Sequence, residues 1–492
     1  MQIGNFVTVI INSRILLNLS YSQIKIAFMS SRRKFLQNLS STALLVGSGG
    51  VSKLLAEANY EKRIIPWERK ISANDKIRLA VIGTGIMGHN DVDTALKVPG
   101  IELVAACDLY TGRLERMKEQ YNKDLFTTRD YREILEKKDI DAVIIATSDN
   151  WHSRISIDAL NKGKNVYCEK PMVHKLSQGQ EVINAWKRSG KIMQVGSQGI
   201  SGASFTKARE LFKAGEIGQL NCIEATYDRQ SAIGAWQYTF PTDESPKPVD
   251  WDRYVSMMNP KPKYDAKKFF WWRNYKDFGT GMAGDLFVHL LTGIHYIIGS
   301  MGPRKIVSTG QLAYWKDGRD VPDVMVAIMD YPETKDHPAF QTMLRVNFIS
   351  GGGDRSAVRY IGSQGVMEKT GNGVRIAYSL MPKAPGIGGW DSLSTYPQAM
   401  QDELMKRYNE KWSADDKKRV TKQSVQYSAP AGNDDHLEHF ANFFDGIRNN
   451  RPVIEDPIVG FRAAAPCLAA NDSYFQKKVI NWDPGKMQLA TV

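Results

Sequence analysis

The stretch Ile77-Arg78-Leu79-Ala80-Val81-Ile82-Gly83-Thr84-Gly85-Ile86-Met87-Gly88 decides the fold. Residues 77–83 form a short apolar run of strand character, and the run passes directly into a G-x-G-x-x-G turn. Gly83 permits the tight turn, Gly85 lets the backbone approach a pyrophosphate, and Gly88 lets the following helix pack on the strand. Ile86 and Met87 then open a helix whose free N–H groups and positive dipole end face the phosphates. Twenty residues beyond Gly88, Asp108 closes the second apolar run, where a carboxylate binds ribose hydroxyls. A carboxylate there repels a 2′-phosphate, which favours NAD over NADP. Arg113 could soften that preference, and it reads equally as a solvated helix residue.

Outward from this turn the pattern repeats. Further strand candidates lie at 102–108, 141–147, 165–169 and 192–196, with helical spacing between them at Leu114, Met117, Tyr121 and at Val182, Ile183, Trp186. Val/Ile/Ala-rich strands separated by helices predict a doubly wound parallel sheet, a Rossmann domain over residues 76–199. The chain has 492 residues, 42% hydrophobic and 24% charged, which is too apolar for disorder and too charged for a multi-span membrane protein. Four cysteines in this length exclude a disulfide scaffold. Cys107 and Cys168 lie on strands that the usual strand order does not make neighbours, and are expected buried and reduced. The net charge of +12 includes +5 from residues 1–58 and shows no long run of like charge, so nothing points to nucleic acid.

Ser31-Arg32-Arg33-Lys34-Phe35-Leu36-Gln37 has the form of a twin-arginine export signal. A short apolar stretch (39–55) and the small-x-small site Ala56-Glu57-Ala58 complete a signal peptide over 29–58. That stretch is interrupted for a spanning helix, which needs about 20 apolar residues. Met29 is the natural start, so residues 1–28 read as an upstream extension. Residues 59–75 read as a charged linker. The expected destination is the periplasm, with the twin-arginine machinery as partner.

Beyond the glycine turn and Asp108, the segment Ala146-Thr147-Ser148-Asp149-Asn150-Trp151-His152, then Cys168-Glu169-Lys170-Pro171, resembles the glucose–fructose oxidoreductase / inositol dehydrogenase / MocA (Gfo/Idh/MocA) family. Residues 249–252 (VDWD), 278–299 and 436–452 extend the resemblance through most of 76–485. It implies a second, α+β domain over 200–485 with a large, open, mostly antiparallel sheet that often mediates oligomerisation, here a homodimer or homotetramer; residues 486–492 remain as a tail. It further implies nicotinamide-dependent oxidation or reduction of a sugar or cyclitol hydroxyl, with the lysine of Glu169-Lys170-Pro171 holding cofactor and substrate. Thr147, Asn150 and His152 fall on the family's cofactor-side loop, although His152 alone would read as an ordinary loop histidine.

Lys170 at the mouth of a parallel sheet can stabilise charge developing on a substrate oxygen. Asp285 and His289 stand four apart in an otherwise apolar segment, on one face of a helix, and Thr292 and Tyr296 continue that stripe. Alcohol oxidation needs a base for the hydroxyl proton; histidine suits that task and a carboxylate orients it. An isolated Asp/His pair would instead read as a satisfied pair on a core helix. Many family members carry a second acid where this chain has Thr292, so its substrate's hydroxyl pattern is expected to differ. Trp272, Arg273 and Tyr275, just ahead of this helix, are substrate candidates, since aromatic faces stack on sugars and Arg273 can bond hydroxyls or a carboxylate. His436 and His439 stand beside Asp434 and Asp435, but HLEH is not HExxH, and surface residues rather than a metal site are expected.

Three functions follow as alternatives. The first is an exported NAD-dependent oxidoreductase for a sugar, glycoside or polyol, with His289 as base, Asp285 its partner and Lys170 the electrostatic helper. An exported enzyme lacks a ready supply of NAD, which predicts a tightly held, recycled cofactor. The second cleaves glycosides by oxidation, elimination and re-reduction on bound NAD, with Tyr275 or His289 as the extra acid or base. The third is a non-catalytic nucleotide-binding scaffold, against which intact Lys170, Asp285 and His289 argue.

Overall fold

The computed structural model describes residues 76–490. The export signal, the upstream extension and the linker lie outside the described residues. Six parallel strands form the first sheet: β1 (Ile77–Ile82), β2 (Ile101–Cys107), β3 (Phe126–Thr128), β4 (Ala142–Ile145), β5 (Asn165–Glu169) and β6 (Met193–Gly196). Helices α1 (Ile86–Ala95), α2 (Thr111–Gln120), α3 (Tyr131–Glu136), α4 (Asp149–Asn161) and α5 (Gln178–Ser189) connect them. The strand order is β3-β2-β1-β4-β5-β6. It reverses at β1, and a crevice opens there at the carboxyl ends of β1 and β4. Cys107 on β2 and Cys168 on β5 are buried, with β1 and β4 between them. β3 escapes a sequence reading because three residues, one of them apolar, show no periodicity.

The second sheet has ten strands: β7 (Leu220–Asp228), β8 (Lys305–Gln311), β9 (Val324–Tyr331), β10 (Phe340–Asn347), β11 (Arg355–Gly362), β12 (Gly365–Thr370), β13 (Gly373–Tyr378), β14 (Val425–Ser428), β15 (Ile480–Asp483) and β16 (Gln488–Leu489). Only β7 and β10 pair in parallel; the other ladders are antiparallel. Burial alternates strictly along β10, so one face is covered and the other open. Helices α6 (Ala203–Lys213), α7 (Val288–Ile298) and α10 (Pro457–Gln476) cover the inner face. The open face carries exposed Val307, Ile328 and Met343. Within the expected tail, Gln488–Leu489 form β16, which pairs with β15. Among the described residues no helix is long and apolar enough to cross a membrane.

The domains are not consecutive in sequence. Helices α8 (Gln398–Lys411) and α9 (Asp435–Asn449) follow β13 and β14, and α9 returns to the first sheet. Phe440, Phe443 and Phe444 join the core formed by Ile77, Leu79, Val81, Ile144 and Tyr167. Phe440 stacks on Tyr167 with ring centroids 4.2 Å apart. Phe440→Ala therefore removes a fully buried ring that locks both halves together. It is expected to cost ~3–5 kcal/mol in denaturant unfolding; a loss under about 1 kcal/mol would mean that α9 is dispensable to the Rossmann core.

Candidate active site

The crevice begins at the glycine turn. Gly83 has φ +91°, and a Cβ there would lie 2.6 Å from the Ala146 carbonyl. A Cβ on Gly88 would lie 2.0 Å from the Gly83 oxygen, where α1 meets β1. At Gly85 nothing stands closer than the Arg113 guanidinium, 3.8 Å away. The protein itself thus requires the first and third glycines, whereas the second leaves space over the start of α1. Gly85 caps α1 without a side-chain hydrogen bond, so the helix start keeps free amides for an anion. Open space plus unpaired donors fits a pyrophosphate.

Asp108 does more than face a ribose. Its Oδ2 accepts the Thr84 N–H at 2.8 Å and the Thr84 hydroxyl at 3.2 Å, and its Oδ1 accepts the Tyr110 N–H at 2.9 Å. Oδ1, with one donor, keeps a second lone pair for a ligand. Arg113 is not a solvated helix residue: it turns into the crevice, 3.6 Å from Asp108 Oδ2, over the rings of Phe269 and Phe270.

A cleft of ≈ 550 Å³ runs from this turn to the second domain. Of the residues singled out from sequence, Gly83, Gly85, Ile86, Met87, Asp108, Arg113, Thr147, His152, Glu169, Lys170, Trp272, Arg273, Asp285 and His289 line it. Asn150 does not: its Oδ1 accepts the Ser148 hydroxyl at 2.7 Å and its N–H donates to the Phe278 carbonyl at 3.2 Å. His152 lies between two carbonyls, Pro171 O at 2.8 Å and Thr147 O at 3.2 Å, so it braces the two loops that carry the site. Asp149, which sequence reasoning passed over, accepts the N–H (2.8 Å) and hydroxyl (2.6 Å) of Thr280 and ties the second domain to the first.

The chemistry-bearing groups meet where β5 ends. Lys170 Nζ donates to Asp285 Oδ1 at 2.9 Å and to the Asp285 carbonyl at 3.1 Å. Arg273 Nε donates to the same Oδ1 at 3.3 Å, with its guanidinium 4.1 Å above the Trp272 ring. Burial opposes ionisation of Asp285, yet the charges of Lys170 and Arg273 outweigh it and hold the carboxyl far below its usual range. His289 stands one helical step on, its ring 6.1 Å from that of Tyr227. Burial pushes its pKa down to about 3; Lys170 adds to the shift and Asp285 opposes it. The ring is therefore neutral at physiological pH and able to accept a proton. Glu169 is buried, with its Oε1 2.5 Å from Gln198 Nε2, and burial next to Asp91 pushes it up to about 8.

Asp285 reaches the cleft through a π-helical turn, Ala283–Phe287, which feeds into α7. Such a turn inserts a residue into helical phase and is common at functional sites. Thr292 is buried a turn deeper, its hydroxyl donates to the Val288 carbonyl at 2.8 Å, and it does not line the cleft. Tyr275 is likewise buried outside the cleft, because the backbone turns through Trp272–Asn274 before reaching it. Sequence reasoning missed Arg229, Trp236, Tyr238 and Gln198, which complete the wall. Arg229 had one available signal, its place immediately after a strand.

His436 and His439 are not surface residues. His439 is fully buried, with Nδ1 2.8 Å from Ser201 Oγ and Nε2 2.8 Å from the Val195 carbonyl. His436 Nε2 lies 2.9 Å from Asp91 Oδ1. Both are drawn inward because α9 packs on the first sheet. Among the described residues no cluster of three or more His, Cys, Asp or Glu could hold a metal ion.

A glycine-turn Rossmann sheet stands beside an open antiparallel sheet, with Lys, Asp and His meeting in the cleft between them: a two-domain protein whose first domain has the dinucleotide-binding fold. Residues 77–197 match the Gfo/Idh/MocA model, described as an oxidoreductase family with an NAD-binding Rossmann fold. Inositol 2-dehydrogenase of Salmonella paratyphi B is 32% identical over 159 residues, 32% of this chain and 47% of the relative. A glycosyl hydrolase family 109 protein of Shewanella baltica is 29% identical over 161 residues, 31% of this chain and 35% of that protein. The chain thus spans less than half the length of these curated relatives. The solved structure of levoglucosan dehydrogenase with NADH and levoglucosan shares the fold, at TM-score 0.58 and 16% identity over 82% of this chain and 99% of that one.

Proposed function

We propose that the protein is an exported, NAD-dependent oxidoreductase that oxidises or reduces a hydroxyl of a sugar, glycoside or polyol. One observation carries this reading: Lys170, Asp285 and a neutral His289 share a cleft with the glycine turn of an NAD-binding Rossmann domain. In the oxidative direction His289 accepts the hydroxyl proton. Lys170 and Arg273 stabilise the negative charge growing on that oxygen, and Asp285 fixes both cations. Gly85 and the start of α1 would hold the phosphates of NAD and Asp108 its ribose; when bound, the group would supply hydride acceptance from the carbinol carbon, or its return. The inositol dehydrogenase and levoglucosan dehydrogenase likenesses support the substrate class. Export to the periplasm rests on residues 29–58, and a homodimer or homotetramer on the family resemblance and on the exposed Val307, Ile328 and Met343 of the second sheet.

A second reading draws support from the family 109 relative: oxidation, elimination of the aglycone and re-reduction on a retained cofactor. The test is protein purified without added cofactor, assayed by absorbance and mass spectrometry for NAD(H), then offered sugars and glycosides. Sugar-dependent NADH formation is expected from the dehydrogenase. Aglycone release without net NADH would replace it with the second reading. Failure to bind NAD in any preparation would overturn both.

A further inference from the structure

The substrate end of the cleft is cationic beyond what binding a neutral sugar requires. Lys170, Arg229 and Arg273 line it with Asp285 and Asp149, and Asp149 is engaged by the N–H and hydroxyl of Thr280. Burial pushes Glu169, a further acid there, up to about 8. Lys170 and Arg273 already share Asp285. Arg229 has no acidic partner among the described residues, in contrast to its neighbours Arg319 and Arg345, which pair with Asp317 and Asp228.

Arg229 is also built in place. It follows β7, and its N–H donates to the Asn347 carbonyl at 2.8 Å. Its guanidinium lies 5.4 Å from the Tyr227 ring centroid and 5.8 Å from that of Phe348, and Nη1 donates to the Gly234 carbonyl at 2.9 Å. The loop that supplies Gly234 turns back through Trp236, a buried non-glycine residue at φ +63°, packed edge-on to Phe348. A left-handed tryptophan is a costly conformation that persists only where its surroundings impose it. Tyr227, under Arg229, also neighbours the His289 ring. One guanidinium edge is thus fixed next to the base with its charge unmatched. A planar fork of donors suits a carboxylate, which it can bind through two parallel hydrogen bonds.

We propose that the sugar taken by this cleft carries a carboxylate, as a hexuronate does, and that Arg229 binds it beside His289. This rests on the reading of the cleft as a sugar site. The acid group would fix which hydroxyl faces His289, making Arg229 a specificity-determining residue.

The experiment compares matched pairs, D-glucuronate with D-glucose and D-galacturonate with D-galactose, on the NAD-loaded protein, by calorimetry and by NADH formation. At low salt each hexuronate is expected to bind at least ~10-fold tighter than its hexose, and added salt to shrink that ratio. Arg229→Met is expected to abolish the ratio, and Arg229→Lys, which keeps the charge without the fork, to restore part of it. Equal binding of acid and neutral sugar by the native protein would overturn the inference alone, as would a ratio unchanged in Arg229→Met. Tighter binding of glucose 6-phosphate than of glucuronate would overturn it in favour of a phosphorylated sugar. Binding of none of these sugars while NAD stays bound would instead strike the sugar reading beneath it.

Discussion

Replacing His289 by alanine is expected to lower kcat by roughly 10²–10⁴-fold, the range typical of removing a general base, while NAD content and unfolding midpoint stay near those of the native protein. The expectation follows from where the ring stands. It borders the cleft at the start of α7, in an environment that keeps it unprotonated, with its pKa pushed down to about 3 by burial and by Lys170. A neutral imidazole can take a proton, and the protonated form it then becomes is relieved by the carboxylate of Asp285. The measurement is single-turnover NADH formation with a reactive sugar, alongside mass-spectrometric counting of bound cofactor. Retention of activity within tenfold would remove His289 from the proton path and leave Lys170 as the remaining candidate. Loss of cofactor together with activity would mean that the histidine supports the fold of the cleft rather than the chemistry.

The parts of this site that could be read in the sequence are those where backbone geometry dictates residue type. Gly83 and Gly88 have no alternative, because a Cβ at either would overlap a neighbouring carbonyl. Asp108 and Lys170 sit at strand ends, where the crevice of a parallel sheet must open. Asp285 and His289 also could be found, since two polar groups interrupt a long apolar segment. What the sequence concealed was set by tertiary packing. The π-helical turn at Ala283–Phe287 carries no local signature, and Thr292, on the regular helix beyond it, is buried below the cleft. Tyr275 sits three residues past Trp272 but is carried out of reach by one tight turn. His436 and His439 looked solvated because acids flank them, yet the aromatic face of α9 draws that helix onto the first sheet. Arg229 carried only its place after a strand as a signal, because its significance lies in lacking an acid, and pairing is a property of the folded chain.

Lys170 offers the sharper test of how the groups work together. Its removal in Lys170→Met is expected to cost about 10²-fold in kcat/KM, comparable with deleting one donor to a developing oxyanion. A loss of rate alone would not distinguish stabilisation of the substrate oxygen from simple binding. The pH profile does. His289 must be neutral to act, so the oxidation rate falls as pH drops through its pKa. In the native protein that pKa is depressed, and the rate should hold through the acid range where a free histidine, at about 6.5, would already be protonated. Lys170 is, after burial, the largest cause of that depression. Without its charge the histidine pKa rises, and the acid limb moves up toward neutrality. Lys170→Arg keeps the charge but changes the reach, so it should hold the limb near its native position even if the rate falls. A limb that stays put in Lys170→Met would show that the lysine binds substrate without tuning the base. A limb that moves in both variants would point to disruption of Asp285, whose Oδ1 Lys170 and Arg273 share.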